Sequence, residues 1–274
     1  MCGIFGAIKP ENTKINLATY QNILDKLFVL SESRGKEASG VAVMAGDKIS
    51  VYKQALPASD LVKKNEYREL IKKSFSQAGN LAAIGHARLV TNGVQTSAGN
   101  NQPVVKNGII IIHNGIVTNV EALWNKYKDL KREYEVDTEI IPALLHKFLN
   151  EGSNIKTAIK RIFTLVEGTI SIAVFFVDYD YLMLASNNGS LYVVINKQAE
   201  NVFCTFASER YILEKLIEKT NEFESGSSVI TQIKPNEVRL VNLKNCQMDN
   251  SDLEKIQVVF VLRRGLGLLE VFGE

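Results

Sequence analysis

Met1-Cys2-Gly3-Ile4-Phe5-Gly6 opens the chain. A cysteine is small enough for an initiator methionine ahead of it to be removed, which leaves an α-amine and a thiol on one residue. A free α-amine titrates near about 7.7–8.0 and a thiol near about 8.5, so around neutrality the amine can take the thiol proton. One residue then supplies both nucleophile and base, as amino-terminal threonine enzymes do. The same stretch also reads as the apolar start of a buried strand, with Gly3 and Gly6 allowing close approach of other backbone. The rest of the chain decides between the two.

The 274 residues are 46% hydrophobic, enough for one large domain or two small ones with a substantial core. Thirty-two basic against thirty acidic residues give a net charge of +2, which provides no field suited to nucleic acid or to an anionic membrane. Lys126, Lys128, Lys131 and Arg132 alternate with Asp129 and Glu133 and read as a solvated helix face. Cys2, Cys204 and Cys246 are too few and too scattered for a disulfide framework or a CxxC metal site, which points to a reducing compartment. No basic n-region precedes an apolar stretch, and no apolar run approaches a membrane span, so the expectation is a soluble, cytoplasmic protein. His86, His113 and His146 lack paired metal-ligand spacing, and neither GxxxxGK[ST] nor GxGxxG occurs; no metal or cofactor is expected.

Along the chain, Leu17, Tyr20, Leu24, Leu27 and Phe28 recur at helical spacing, ending near Arg34-Gly35. Strands follow near 38–45 and 48–54, a lysine-rich helix near 59–77, a strand over 81–91 and a polar loop from Thr91 to Pro103. Val104 to Ile112 reads as a hairpin about Asn107-Gly108, a pair suited to a type I′ turn. Helices are expected over 119–130, 138–150 and 153–166, with Gly168 as the cap of the last, and strands over 169–177, 182–186 and 191–195. Ser208 is an expected N-cap for a helix to Lys219, and strands near 228–233, 237–243 and 257–262 close the chain. Antiparallel runs with helices grouped between them indicate an α+β layered fold in one domain.

Five stretches now carry a resemblance: Cys2-Gly3-Ile4-Phe5-Gly6, Arg34 to Gly40 (RGKEASG), Gly85 to Gly93 (GHARLVTNG), His113 to Asn119 (HNGIVTN) and Asp137-Thr138-Glu139. Together and in this order the sequence resembles the glutaminase domain of class II, amino-terminal-nucleophile glutamine amidotransferases. The resemblance implies a four-layer αββα sandwich of two antiparallel sheets, with a glutaminase domain over 2–240 and a strand and apolar tail over 241–274.

It further implies that Cys2 attacks the side-chain amide of glutamine with its own α-amine as base, and that Asn114 and the Gly115 backbone form the oxyanion hole. Arg88 would meet the glutamine α-carboxylate and Asp137 its α-ammonium; Leu89 and Thr91 would line the pocket, and Arg34 would support the nucleophile end. His86 and His113 are expected to be structural, His113 with one hydrogen bond. Leu89 departs from the aromatic residue of relatives. Asn101-Gln102-Pro103 leans toward the phosphoribosyl branch, whereas His113–Asn119 and Asp137–Glu139 lean toward the sugar-phosphate branch. The residues after the glutaminase stretch are too few for an acceptor domain. The expected partner is therefore a separate synthase acting on a sugar phosphate, docked through the apolar tail. A different amino-terminal-nucleophile amidase and a non-catalytic regulatory module stand as alternatives.

Overall fold

The computed structural model describes residues 2–89, 98–177, 179–197, 200–223, 228–249 and 269–272. Strand β1 (Gly3–Lys9) is buried on both faces: Ile4 and Ile8 point one way, Phe5 and Ala7 the other. Helix α1 (Leu17–Ser31) follows, started by Asn16, whose side chain accepts from the Thr19 N–H. Next come β2 (Ala38–Ala45), β3 (Lys48–Gln54), short α2 (Ala58–Leu61), α3 (Asn65–Phe75) and β4 (Leu81–Arg88). The single helix expected over 59–77 is thus broken, because Lys64 takes an extended ψ of 139° before α3.

The hairpin forms as read, with β5 (Val104–Lys106) and β6 (Ile109–Val117) joined by Asn107 and Gly108 at φ of 52° and 73°. Helix α4 (Val120–Lys126) stops four residues short of its expected end. A 3₁₀ turn, Asp137–Glu139, leads into α5 (Ile140–Asn150), where Pro142 lies in the first turn and needs no intrahelical N–H bond. Helix α6 (Ile155–Leu165) ends before Gly168, which begins β7 (Gly168–Phe176) instead of capping the helix. A Cβ there would lie 2.1 Å from the Ile116 carbonyl oxygen, so a glycine is required by strand contact.

Strands β8 (Tyr181–Ser186) and β9 (Tyr192–Asn196) match the reading. Strand β10 (Phe203–Ala207) was not anticipated. Ser208 does not cap α7 (Arg210–Lys219): Glu209 holds the cap position without a side-chain bond, and Ser208 turns to β1 instead. Strands β11 (Ile230–Gln232), β12 (Glu237–Asn242), β13 (Met248–Asp249) and β14 (Leu269–Phe272) complete the described chain. The strand expected over 257–262 lies outside the described residues.

Among the described residues the strands form two sheets, ordered β11-β9-β10-β1-β4-β2-β3-β14 and β13-β12-β8-β7-β6-β5. Every pairing is antiparallel except β14 on β3. Three buried clusters fill three interfaces: α1, α2, α3 and α7 on the first sheet, α4, α5 and α6 on the second, and an aliphatic layer between the sheets. This is the expected αββα sandwich. The layer explains the isoleucine run of β6, since Ile110 and Ile112 face the first sheet while Ile109 and Ile111 face the helices.

Candidate active site

The alternation that builds the core also aims the chemistry. Cys2 extends the parity of Ile4 and Ile8, Arg88 that of Ala82 and Ile84, and Asn114 that of Ile110 and Ile112, so all three face the space between the sheets at one end of it. Cys2 is buried, and its thiol donates to the Leu89 carbonyl at 3.5 Å. Burial pushes the thiol pKa up, partly offset by that bond and by the Arg88 charge. A thiol so placed does not ionise unaided at neutral pH, so it needs a base beside it.

Asn114 is 1% exposed, yet neither its amide oxygen nor its amide nitrogen has a hydrogen-bond partner among the described residues. An orphaned buried amide of this kind is uncommon and costs about 1–3 kcal/mol. Gly115 follows at φ 155°, and a Cβ there would sit 1.9 Å from the Thr169 carbonyl oxygen. His113 before it bonds on both ring nitrogens, to Thr138 Oγ1 and to the Thr169 carbonyl, each at 3.1 Å, one more than expected.

Arg88 is buried and donates to Asn101 Oδ1 at 2.5 Å. Its pKa is lowered by burial and held up by Cys2 and Asp137, whose charges act on it. Asp137 is buried too, with Oδ2 accepting from the Val117 N–H at 2.8 Å. Its charge also bears on Cys2 and His113. Arg34 pairs with Glu209 at 2.7 Å beside β1. Next to it, Gly35 lies against β4 so closely that a Cβ would be 2.1 Å from the Arg88 carbonyl carbon. Leu89 is 38% exposed and contributes its carbonyl to Cys2. Thr91 lies outside the described residues.

Several supporting residues were not anticipated. Ser208 accepts from the Ile4 N–H at 3.2 Å while its own N–H reaches the Ile4 carbonyl at 2.8 Å, which clasps β1 just behind Cys2. Gln102 exchanges two bonds with the His113 backbone and donates to Thr138 Oγ1 at 3.1 Å, joining the loop after Arg88 to the His113–Gly115 segment. The sequence signals for Gln102 were its place in a polar loop and in the Asn101-Gln102-Pro103 stretch, neither of which gave it a supporting role; nothing singled out Ser208 beyond its capping propensity.

His86 is fully buried on β4, and neither ring nitrogen has a partner in hydrogen-bonding geometry among the described residues. Burial, aided by the Arg88 charge, lowers its pKa to about 3, so the ring is neutral in the fold. Below its ordinary value of about 6.5 the unfolded chain takes up a proton that the folded chain refuses. Stability is therefore intact above pH 6.5 and falls toward pH 3 by about 1.4 kcal/mol per unit. Denaturant midpoints at pH 7 and pH 5 should show this loss in the wild type and a smaller one in His86→Leu; equal losses would refute it.

A family described as a glutamine amidotransferase domain matches residues 86–215. Over 272 residues the chain is 26% identical to a glutamine–fructose-6-phosphate aminotransferase (isomerizing) of Bacillus thuringiensis, covering 93% of this chain and 41% of the relative. It is 27% identical to the Staphylococcus aureus enzyme of the same name over 266 residues, with the same coverage. The chain thus spans about two-fifths of the length of these relatives. In fold it is similar to a glutamine phosphoribosylpyrophosphate amidotransferase from B. subtilis, with a TM-score of 0.62, 19% identity, 90% of this chain and 49% of that one. It is similar also to an allosteric regulatory enzyme of purine biosynthesis, with a TM-score of 0.64, 18% identity, 90% of this chain and 48% of that one. In sequence, over residues 86–215 and along the aligned relatives, and in its paired-sheet fold, the chain is similar to the glutaminase domains of class II glutamine amidotransferases.

Proposed function

We propose that the chain hydrolyses glutamine to glutamate and ammonia with Cys2 as nucleophile, the ammonia passing to a synthase domain or subunit that acts on a sugar phosphate. The observation that carries this is the orphaned amide of Asn114, buried and facing the same space as the Cys2 thiol. A side chain held there without a partner has its donor free for an oxygen that becomes negative only during reaction.

With Met1 removed, the α-amine of Cys2 takes the thiol proton and the sulfur attacks the glutamine amide carbon. Asn114 Nδ2 and the Gly115 N–H hold the resulting oxyanion. Collapse of the tetrahedral intermediate expels ammonia, which takes the proton back from the α-ammonium, and leaves a γ-glutamyl thioester. Water, deprotonated by the same amine, hydrolyses that thioester to glutamate and the free thiol. Arg88 pairs with the substrate α-carboxylate through a planar two-point contact. Asp137 pairs with the α-ammonium, Leu89 and Thr91 shape the pocket wall, and Arg34 braces β1 through Glu209.

The sugar-phosphate acceptor draws support from the names of the aligned relatives and from His113–Asn119. A phosphoribosyl acceptor is the second reading, favoured by Asn101-Gln102-Pro103 and by the fold comparison. The synthase would dock on the 241–274 tail, of which Leu269–Phe272 lies along β3, and the reaction would take place in the cytoplasm.

Release of glutamate and ammonia from glutamine, with mass spectrometry of the mature amino terminus, tests the reading; no glutamate release by a protein that begins at Cys2 would reject it. Arg88→Ala and Asp137→Asn should each raise KM for glutamine about 10–100-fold with a smaller effect on kcat. Steady-state kinetics decide, and a pure kcat loss in either would remove that residue from the clamp.

A further inference from the structure

Strand β3 reads Ile49, Val51, Lys53 on its inward face, so a lysine stands where the alternation calls for a third aliphatic residue. Lys53 is buried, two register positions from Arg88: it lies opposite Gly40, which lies opposite His86, whereas Arg88 pairs with Ala38. Its ammonium donates to the Asn101 carbonyl at 2.8 Å and to the Pro103 carbonyl at 3.1 Å, two acceptors from the loop that follows Arg88. Gly40 makes room for that loop, since a Cβ there would lie 2.4 Å from the Gln102 carbonyl oxygen.

These bonds form a chain that ends at the substrate side. Lys53 holds the backbone of Asn101, and the side chain of Asn101 accepts from Arg88. A buried cation bonded to neutral carbonyls costs more than an aliphatic residue of the same length would. Burial alone lowers its pKa to about 8. That cost is retained at the one place where the two bonded carbonyls belong to the loop that orients Arg88.

We propose that Lys53 is a positioning residue for substrate binding: by fixing the Asn101–Pro103 backbone it sets the Asn101 side chain that aims the Arg88 guanidinium at the glutamine α-carboxylate. This rests on the glutaminase reading and adds to it a residue that touches neither substrate nor nucleophile.

The test compares wild type with Lys53→Met, which keeps the aliphatic stem and removes the donors. The expected result is KM for glutamine raised about ten-fold with kcat within about two-fold. Two Cys2 reagents supply a readout that a purely structural lysine would not move. A diazoketone analogue of glutamine, which needs the carboxylate clamp, should inactivate the variant about ten-fold more slowly, whereas iodoacetamide, which needs only the thiol, should react at an unchanged rate. Lys53→Gln is read by the same criteria if the methionine variant does not fold.

An unchanged KM, equal slowing by both reagents, or failure of both variants to fold each overturns the proposal. Absence of glutamine hydrolysis in the wild type overturns the functional reading and the role of Lys53 together; wild-type activity with an unaffected Lys53→Met overturns the role alone.

Discussion

Cys2→Ala is expected to abolish glutamine hydrolysis, with kcat falling by about 10⁴-fold or more, while the folded protein survives. The size follows from chemistry: without the sulfur no thioester forms, and what remains is binding and oxyanion stabilisation around a water that has no activated partner. The fold should tolerate the change because Cys2 precedes β1 and its thiol contributes one weak hydrogen bond, to Leu89. Ammonia release by coupled assay and the melting temperature are the two measurements. Near-wild-type release from the alanine variant would remove Cys2 as nucleophile. Cys2→Ser should retain only a trace of activity, since a hydroxyl is a much poorer nucleophile near neutral pH.

Replacement of Asn114 should separate function from stability. Asn114→Ala is expected to lower kcat about 10²–10³-fold and to change KM little, because its donor acts on charge that develops only in the transition state. Asn114→Leu, close in volume, removes a buried amide that has no partner among the described residues and so relieves its desolvation penalty. That variant should be as inactive as the alanine form but at least as stable as wild type. A catalytic group that stabilised its surroundings would behave oppositely, so a clear drop in melting temperature for the leucine variant, or an effect on KM alone, would exclude the oxyanion role.

The sandwich was legible because its central strands obey simple alternation. In β6 the isoleucines divide between two cores, and the Asn107-Gly108 pair fixes the turn before them. What escaped was governed by tertiary contact. Strand β10 is five residues long with no strong turn signal, and it exists because it pairs with β1 and β9. Gly168 resembled a helix cap in sequence, yet close packing against Ile116 requires it. Of the site, the residue types and their order could be read, but not their depth. The parity that turns Cys2, Arg88 and Asn114 toward one space becomes visible only once the sheets are paired. Lys53 was detectable in principle as a charge on the inward face of a period-two strand. The partners that explain it, Asn101 and Pro103, lie about fifty residues away and could not be inferred.

The clasp between Ile4 and Ser208 sets an order of events during synthesis. The amino-terminal strand pairs with β4 and β10, so its burial must wait for a segment about two hundred residues later to leave the ribosome. At about 5–20 residues per second that interval is roughly 10–40 s. Throughout it β1 lacks its β10 partner and the Ser208 clasp, which leaves the first residues more open to an aminopeptidase, and equally to oxidants that would consume the thiol, than in the finished fold. Once β10 docks, the same end is shut between two neighbouring strands. On the proposed mechanism, excision of Met1 would then have to precede the docking of β10, and a chain that folded with its methionine in place would carry a finished fold around an inert terminus.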